Sequence, residues 1–120
     1  MSKNVVITGT SRGIGLELIK IFSNSGFNVL SLSRNISNSE NLNLANTSFL
    51  SFDITKENDH RMVKEFISKN WNTVDILINN AGLLINKNFE DTSLKDFKTI
   101  YSTNVFGVAM LTQSCLPFMK

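Results

Sequence analysis

Residues 8–15 read Thr-Gly-Thr-Ser-Arg-Gly-Ile-Gly and hold three of the six glycines of the chain. They follow Asn4–Thr8, a β-branched run typical of a buried parallel strand, and they lead into apolar residues at helical spacing that end before Gly26. Glycines at such a junction permit unusual backbone dihedrals and let a ligand approach the main chain closely. Free N–H groups and the positive end of the helix dipole then favour a pyrophosphate. The alternative is a tight turn that binds nothing.

Three further apolar runs predict strands at residues 27–33, 48–52 and 74–79. The four strand centres lie near positions 6, 30, 50 and 76, with helical patterns between most of them. Residues 35–47, rich in Asn and Ser, predict a loop with at most a short helix. This alternation is typical of βαβ units, and it predicts an α/β fold with a doubly wound parallel sheet and helices on both faces.

The predicted helices carry apolar stripes that indicate which faces are buried. For the first helix the stripe consists of Ile14, Leu18, Ile21 and Phe22, widened by Leu16 and Ile19. A second helix begins near Thr55, and its inward face consists of Met62, Val63, Phe66 and Ile67. A third, long helical segment opens at Thr92 or Ser93 and runs toward Pro117.

Composition excludes several classes of function. With 120 residues, 42% of them apolar, the chain is long enough for one globular domain spanning 1–120. A net charge of +2 is too balanced for a nucleic-acid arm or a polybasic membrane surface, and no apolar run approaches the ~18 residues of a membrane span. Only one cysteine, Cys115, is present, and it is predicted to be buried and inert. The presence of a single cysteine, together with the lack of a leader pattern, indicates a reducing cytoplasm. His60, the only histidine, lies among charged residues and is predicted to face solvent, and no residues have the spacing of metal ligands.

The spacing Thr-Gly-x-x-x-Gly-x-Gly of residues 8–15 resembles the classical branch of the short-chain dehydrogenase/reductase family. Three more motifs support this resemblance. The string Asn79-Asn80-Ala81-Gly82 is similar to the family motif that supports the sheet beside the cofactor. Asp53, followed by Ile54, resembles the acidic residue that meets the adenine ring, and Asn104 resembles the helix asparagine that helps to hold a water in a proton relay.

The resemblance implies a Rossmann-type sheet and a set of site residues. For Asn104 the resemblance implies a catalytic role. Cofactor binding falls on Thr8, Gly9, Ser11, Arg12, Gly13, Ile14, Gly15, Ser33, Arg34, Asp53, Ile54, Asn80, Ala81 and Gly82. Simpler explanations remain open for some of these residues: Asp53 is also a good turn former, and the asparagines belong to a chain rich in that residue.

The end of the second strand predicts which nicotinamide cofactor is bound. A carboxylate there accepts hydrogen bonds from the ribose hydroxyls of NAD and repels the 2′-phosphate of NADP. This chain has Ser33 and Arg34 at that place and no acid, while Arg12 lies in the glycine-rich turn. Guanidinium groups bind phosphate oxygens through a planar fork. The sequence therefore predicts NADP in preference to NAD.

In the family a Ser and a Tyr-x-x-x-Lys pair carry the hydride-transfer chemistry, and they lie beyond the helix that holds the asparagine. Residue 120 precedes all of them, and Tyr101 does not replace the tyrosine because Val105 stands where the lysine is required. We therefore expect a truncated chain that holds the cofactor half, with four strands of the family order 3-2-1-4-5-6-7. The fourth strand is then an exposed edge, which is a site of aggregation.

Two hypotheses of function follow. In the first, the complete protein is an NADP-dependent oxidoreductase that acts on a small carbonyl or alcohol substrate. Its tyrosine donates a proton while the nicotinamide supplies hydride, and the resemblance implies a homo-oligomer without a nucleic-acid or membrane partner. In the second, the 120 residues are the whole product and form a non-catalytic nucleotide-binding or interaction module.

Overall fold

A computed structural model describes residues 2–120 of the chain. Four parallel strands lie in the order β3-β2-β1-β4, with β1 paired to both β2 and β4. The strands are β1 (Asn4–Thr8), β2 (Asn28–Ser33), β3 (Thr47–Ser51) and β4 (Ile76–Ile78). The helices are α1 (Gly13–Asn24), α2 (Ser37–Glu40), α3 (Glu57–Asn70), α4 (Leu94–Tyr101) and α5 (Val108–Cys115). The predicted strand order is confirmed, with boundaries displaced by one or two residues at most strand ends.

The two faces of β1 bury different side chains, as expected for a strand covered on both sides. Val5 and Ile7 pack with Ile19 of α1 and Val29 of β2. Val6 points to the opposite face, where the core extends across α3 and α5. That second core consists of Val6, Leu30, Leu32, Phe52, Ile54, Val63, Ile67, Val74, Leu111 and Cys115. Complete burial of β1 explains why its sequence contains no alternation of polar and apolar residues.

Some predicted core positions are wrong. Ile14 is 73% exposed at the first turn of α1, and Ile21 is 57% exposed, because α1 rests on the sheet through Gly15, Ile19 and Ser23 instead. On α3, Met62 is 41% exposed. The buried face of α3 contains His60 instead of Met62. His60 is only 4% exposed, so the prediction that it faces solvent is also wrong. The prediction that Cys115 is buried is confirmed, and burial raises the pKa of its thiol to about 11.

The long helix predicted toward Pro117 is interrupted. Ser93 caps α4 through a reciprocal pair of bonds with Asp96, as a capping box does. A π-helical segment, Ser102–Gly107, then separates α4 from α5, and short 3₁₀ turns lie at Phe89–Asp91 and Leu116–Phe118. Within residues 2–120, no helix has the length and hydropathy needed to cross a bilayer.

Candidate functional site

The turn between β1 and α1 adopts a conformation that favours glycine. Gly9 has φ of 70° and Gly13 has φ of 62°, both in the left-handed region. The N–H of Gly9 donates to the carbonyl oxygen of Leu32 at 2.9 Å, which joins the turn to β2. Arg12 precedes the first turn of α1, but its side chain makes no capping hydrogen bond, and the first turn contains no acidic residue. The positive end of α1 is therefore not neutralised by these side chains.

Close packing fixes the turn against the end of β4. A Cβ atom added to Gly15 would overlap the carbonyl oxygen of Gly9 and would lie 2.7 Å from Nδ2 of Asn80. At Gly9 it would lie 2.9 Å from Cα of Ala81. Gly13 differs, because a Cβ added there has nothing within 4 Å in the described chain apart from its immediate neighbours in sequence and the adjoining backbone of α1. Gly9 and Gly15 thus serve packing, whereas Gly13 borders open space.

Thr8 connects the ends of β1 and β4. Its Oγ1 accepts the N–H of Asn80 at 3.0 Å and that of Ala81 at 2.9 Å, and Nδ2 of Asn80 donates to the carbonyl oxygen of Gly9 at 3.1 Å. β4 has only three residues, so these bonds extend the contact between the two strands beyond the ladder. Asn79 lies apart from this network, with its Nδ2 3.3 Å from Oγ1 of Thr112.

Replacing Thr8 by Val is expected to lower the free energy of unfolding by about 2 kcal/mol, because two half-buried N–H groups lose their acceptor while the side-chain volume hardly changes. Urea denaturation of the purified chain measures this loss. Thr47→Val is the matched control: its hydroxyl bonds only to Ala45 nearby, and we expect a change within about 0.5 kcal/mol. Equal stabilities for the two variants would contradict the role of Thr8.

The end of β2 places a buried serine and an exposed arginine at the same edge of the sheet. Ser33 Oγ donates to the carbonyl oxygen of Asn35 at 3.1 Å, and Ser51 Oγ donates to that of Arg34 at 3.0 Å. These bonds hold the main chain of Arg34 while its guanidinium group remains exposed. Within residues 2–120, neither Arg34 nor Arg12 forms a salt bridge.

Asp53 follows β3 and forms a short turn. Its Oδ1 accepts the N–H of Thr55 at 2.9 Å and the hydroxyl of Thr55 at 2.6 Å. The hydroxyl bond from Thr55 is the main cause that lowers the pKa of Asp53, and Arg34 contributes a smaller effect. The turn-forming role that the sequence left open is therefore present. The N–H of Asp53 donates to Oδ2 of Asp59 at 2.8 Å.

Asn104 lies in the π-helical segment and bonds to the chain that follows the Asn-Asn-Ala-Gly motif. Its Oδ1 accepts the N–H of Leu83 at 2.8 Å, and its Nδ2 donates to the carbonyl oxygen of Leu83 at 2.9 Å. Both polar atoms of the side chain are thus engaged with one residue. This pair joins the π segment to the chain that follows the motif, and π segments are frequent at functional sites.

These segments surround a cleft of about 950 Å³ at the carboxyl ends of the strands. Among the predicted site residues, the cleft is lined by Thr8, Gly9, Ser11, Arg12, Gly13, Ser33, Arg34, Asp53, Ile54, Asn80, Ala81 and Gly82. Ile14, Gly15 and Asn104 do not line it. Crevices at this edge, where the strand order reverses between β1 and β4, are the usual ligand sites of doubly wound sheets.

The cleft also contains residues that the sequence did not predict. They are Leu32, Asn35, Asn38, Phe52, Thr55, Leu83, Thr99 and Thr103. Thr99 and Thr103 lie four residues apart, which places them on one side of a helix. That spacing, just before Asn104, is the signal that could have identified them.

Comparison with known proteins gives a family and a fold. A family model described as short chain dehydrogenase matches residues 3–120. A Helicobacter pylori protein, the probable short-chain type dehydrogenase/reductase VdlC, is 36% identical over 96% of this chain and 42% of its own length. An NADPH-dependent 1-acyldihydroxyacetone phosphate reductase of Schizosaccharomyces pombe is 33% identical over 93% of this chain and 38% of its own length.

Among solved structures, a short-chain dehydrogenase from Streptomyces avermitilis superposes with a TM-score of 0.90 at 27% identity. The match covers 98% of this chain and 44% of that one. The chain thus spans less than half the length of each of these three proteins. Because the family model covers nearly every residue, the chain belongs to the short-chain dehydrogenase family.

Proposed function

We propose that the cleft binds NADP(H), and that the protein is an oxidoreductase that transfers hydride between the nicotinamide and a carbonyl or alcohol carbon. The observation that carries this proposal is the meeting of four segments around one cleft. These are the glycine-rich turn, the end of β2 with Arg34, the Asp53 turn and the Asn80-Ala81-Gly82 segment.

The diphosphate belongs at the glycine-rich turn. Gly13 leaves open space where another residue would place a side chain, and the N-terminus of α1 is not capped by Arg12. Backbone N–H groups and the helix dipole therefore act together on an anion there. Gly9 and Gly15 support this geometry by allowing the turn to pack on Asn80 and Ala81.

The 2′-phosphate belongs between Arg12 and Arg34, which border the same cleft. Neither guanidinium is neutralised by a salt bridge within residues 2–120, so both are free to pair with phosphate oxygens. No carboxylate occupies the end of β2, where it would repel the phosphate. The name of the Schizosaccharomyces pombe relative, an NADPH-dependent reductase, agrees with this assignment.

The two ends of the cofactor then lie at opposite parts of the cleft. Asp53 and Ile54 border the adenine end, while Ala81 and Gly82 border the path toward the nicotinamide. Asn104 acts through its paired bonds to Leu83, which orient the segment after Gly82. We propose that Asn104 also supports a water in the proton relay, as in the family it resembles. The bound cofactor would supply hydride chemistry, and the residues of this chain would hold and orient it.

Catalysis requires residues that the 120-residue chain does not contain. Its single tyrosine, Tyr101, is half exposed on α4 and is followed four residues later by Val105. We therefore expect the purified 120-residue chain to show no NADPH-dependent reduction of aldehydes or ketones, because positioned proton transfer contributes about 10²–10⁴ in rate.

A longer protein that also contains the Ser and the Tyr-x-x-x-Lys pair is expected to be active in the same assay, with a panel of aldehydes and ketones. Reading the gene beyond codon 120 tells whether such residues follow. Turnover by a rigorously purified 120-residue chain would contradict this assignment of the chemistry.

The alternative function is a non-catalytic nucleotide-binding or interaction module. The two functions share the cleft and differ in turnover. An inactive full gene product that still binds NADPH would favour the module. Under either function we propose a reducing cytoplasmic location, since the single cysteine of the 120 residues leaves them without an internal disulfide. We also propose a homo-oligomeric full-length protein, in line with the family resemblance.

A further inference from the structure

His60 is buried on α3 behind one wall of the cleft, in a segment whose neighbours are charged and exposed. Its side chain is 4% exposed, and Nε2 lies 2.7 Å from the carbonyl oxygen of Ile54. A carbonyl oxygen only accepts hydrogen bonds, so Nε2 carries the hydrogen and donates. The ring also meets Phe52 edge-on, with centroids 5.0 Å apart and planes at 73°.

The other ring nitrogen distinguishes His60 from an ordinary core residue. Nδ1 of His60 is buried and has no hydrogen-bond partner within the described chain. An unpaired polar atom in the interior lowers stability, and an apolar side chain of similar size would avoid that penalty. Core packing alone therefore does not explain an imidazole at this position. The bond from Nε2 to Ile54 is the contact that an apolar residue could not make.

Adjacent contacts hold the same wall. Oδ2 of Asp59 accepts the N–H of Asp53, so two successive residues of α3 bind main-chain groups of two successive residues of the wall. The π segment also contacts this wall, because a Cβ atom added to Gly107 would lie 2.9 Å from the carbonyl oxygen of Ile54. Residues 53–55 thus form a wall that contacts both α3 and the π segment and that also lines the cleft.

We propose that His60 is a positioning residue that fixes the carbonyl group of Ile54 and, through it, the wall formed by residues 53–55. This inference rests on the proposed function, in which that wall meets the adenine end of the cofactor. Loss of the bond lets the wall move away from its position, so the adenine end binds less tightly while the glycine-rich turn is unchanged.

The test compares His60→Leu, which keeps an apolar side chain beside Phe52, with His60→Gln, whose Nε2 can still donate to Ile54. Binding of NADPH and of 2′,5′-ADP to the full gene product is measured by titration. We expect His60→Leu to weaken 2′,5′-ADP roughly fivefold and His60→Gln to stay within about twofold of wild type. Val29→Ala, a core change at the amino end of β2, is the control for stability loss and should keep wild-type affinity.

Amide exchange in the ligand-free protein separates this proposal from the cofactor assignment. The N–H groups of Asp53 and Thr55 should exchange faster in His60→Leu than in Val29→Ala or His60→Gln. Unchanged exchange together with unchanged 2′,5′-ADP affinity would overturn the proposal, as would equal losses in the Leu and Gln variants. A wild-type protein that binds neither ligand would overturn the proposed function, and the exchange rates would still decide whether His60 fixes the wall.

Discussion

Gly13→Val is expected to weaken NADPH binding roughly a hundredfold, about 2.8 kcal/mol, while the chain stays folded. At φ of 62° the glycine adopts a conformation that a β-branched residue tolerates poorly, which costs about 1–3 kcal/mol of stability. Apart from its neighbours in sequence and the adjoining backbone of α1, nothing in the described chain lies within 4 Å of the added Cβ, so the new side chain enters the cleft and not the core. It then occupies the space where the diphosphate would contact the backbone. Circular dichroism and NADPH fluorescence on the same sample separate folding from binding.

Gly26→Val provides a closely matched control. Gly26 also has a positive φ, 84°, and a Cβ added there also meets nothing within 4 Å. It lies beyond the C-terminal end of α1 and does not line the cleft. The two variants should therefore lose similar stability, but only Gly13→Val should lose NADPH. Equal affinities in the two variants would show that the turn does not hold the diphosphate.

Arg34→Asp is expected to change the cofactor preference from NADP toward NAD. Under the proposed assignment the substitution removes charge-assisted hydrogen bonds to the 2′-phosphate, each worth about 1.5–3 kcal/mol, so NADPH should bind roughly tenfold to a hundredfold more weakly. The new carboxylate lies near Asp53 and repels the phosphate further, whereas it can accept hydrogen bonds from the free ribose hydroxyls of NADH. Arg12 retains part of the NADPH affinity, and a full reversal is expected from Arg34→Asp combined with Arg12→Ala.

Arg61→Asp makes the same charge reversal away from the cleft. Arg61 is the third arginine of the chain, exposed on α3 and bonded to Asn58. The Arg61→Asp variant should keep the wild-type ratio of the dissociation constants for NADPH and NADH, since distant exposed charges are screened by salt. If Arg34→Asp also leaves that ratio within about twofold of wild type, Arg34 is a solvated surface residue and not a phosphate ligand.

The fold was predictable where local sequence and tertiary role agree. β1 is buried on both faces and therefore reads as an unbroken apolar run, and the glycines beside it are required by positive φ or by close packing. The end of β4 was recognisable from residues 79–82, although β4 itself has only three paired residues. These features of the sequence locate the cleft.

The remaining features depend on contacts between segments far apart in sequence. His60 is buried because Phe52 and Ile54 pack against it, and the charged residues next to it in sequence do not predict that contact. The helix after Ser93 breaks into a π segment where Asn104 bonds to Leu83 and Gly107 packs on Ile54. Helical periodicity continues through this region, so the apolar pattern alone predicts one helix.

The most direct test of the proposed cofactor is a pair of titrations of the wild-type chain with NADPH and NADH at one fixed ionic strength. Within residues 2–120 the two guanidinium groups at the cleft form no salt bridge, and no carboxylate lies at the end of β2. We therefore expect NADPH to bind at least about tenfold more tightly, a difference of about 1.4 kcal/mol. Equal affinities, or tighter binding of NADH, would contradict the assignment of Arg12 and Arg34 to the 2′-phosphate. Failure of a folded chain to bind either nucleotide would contradict the cofactor site itself.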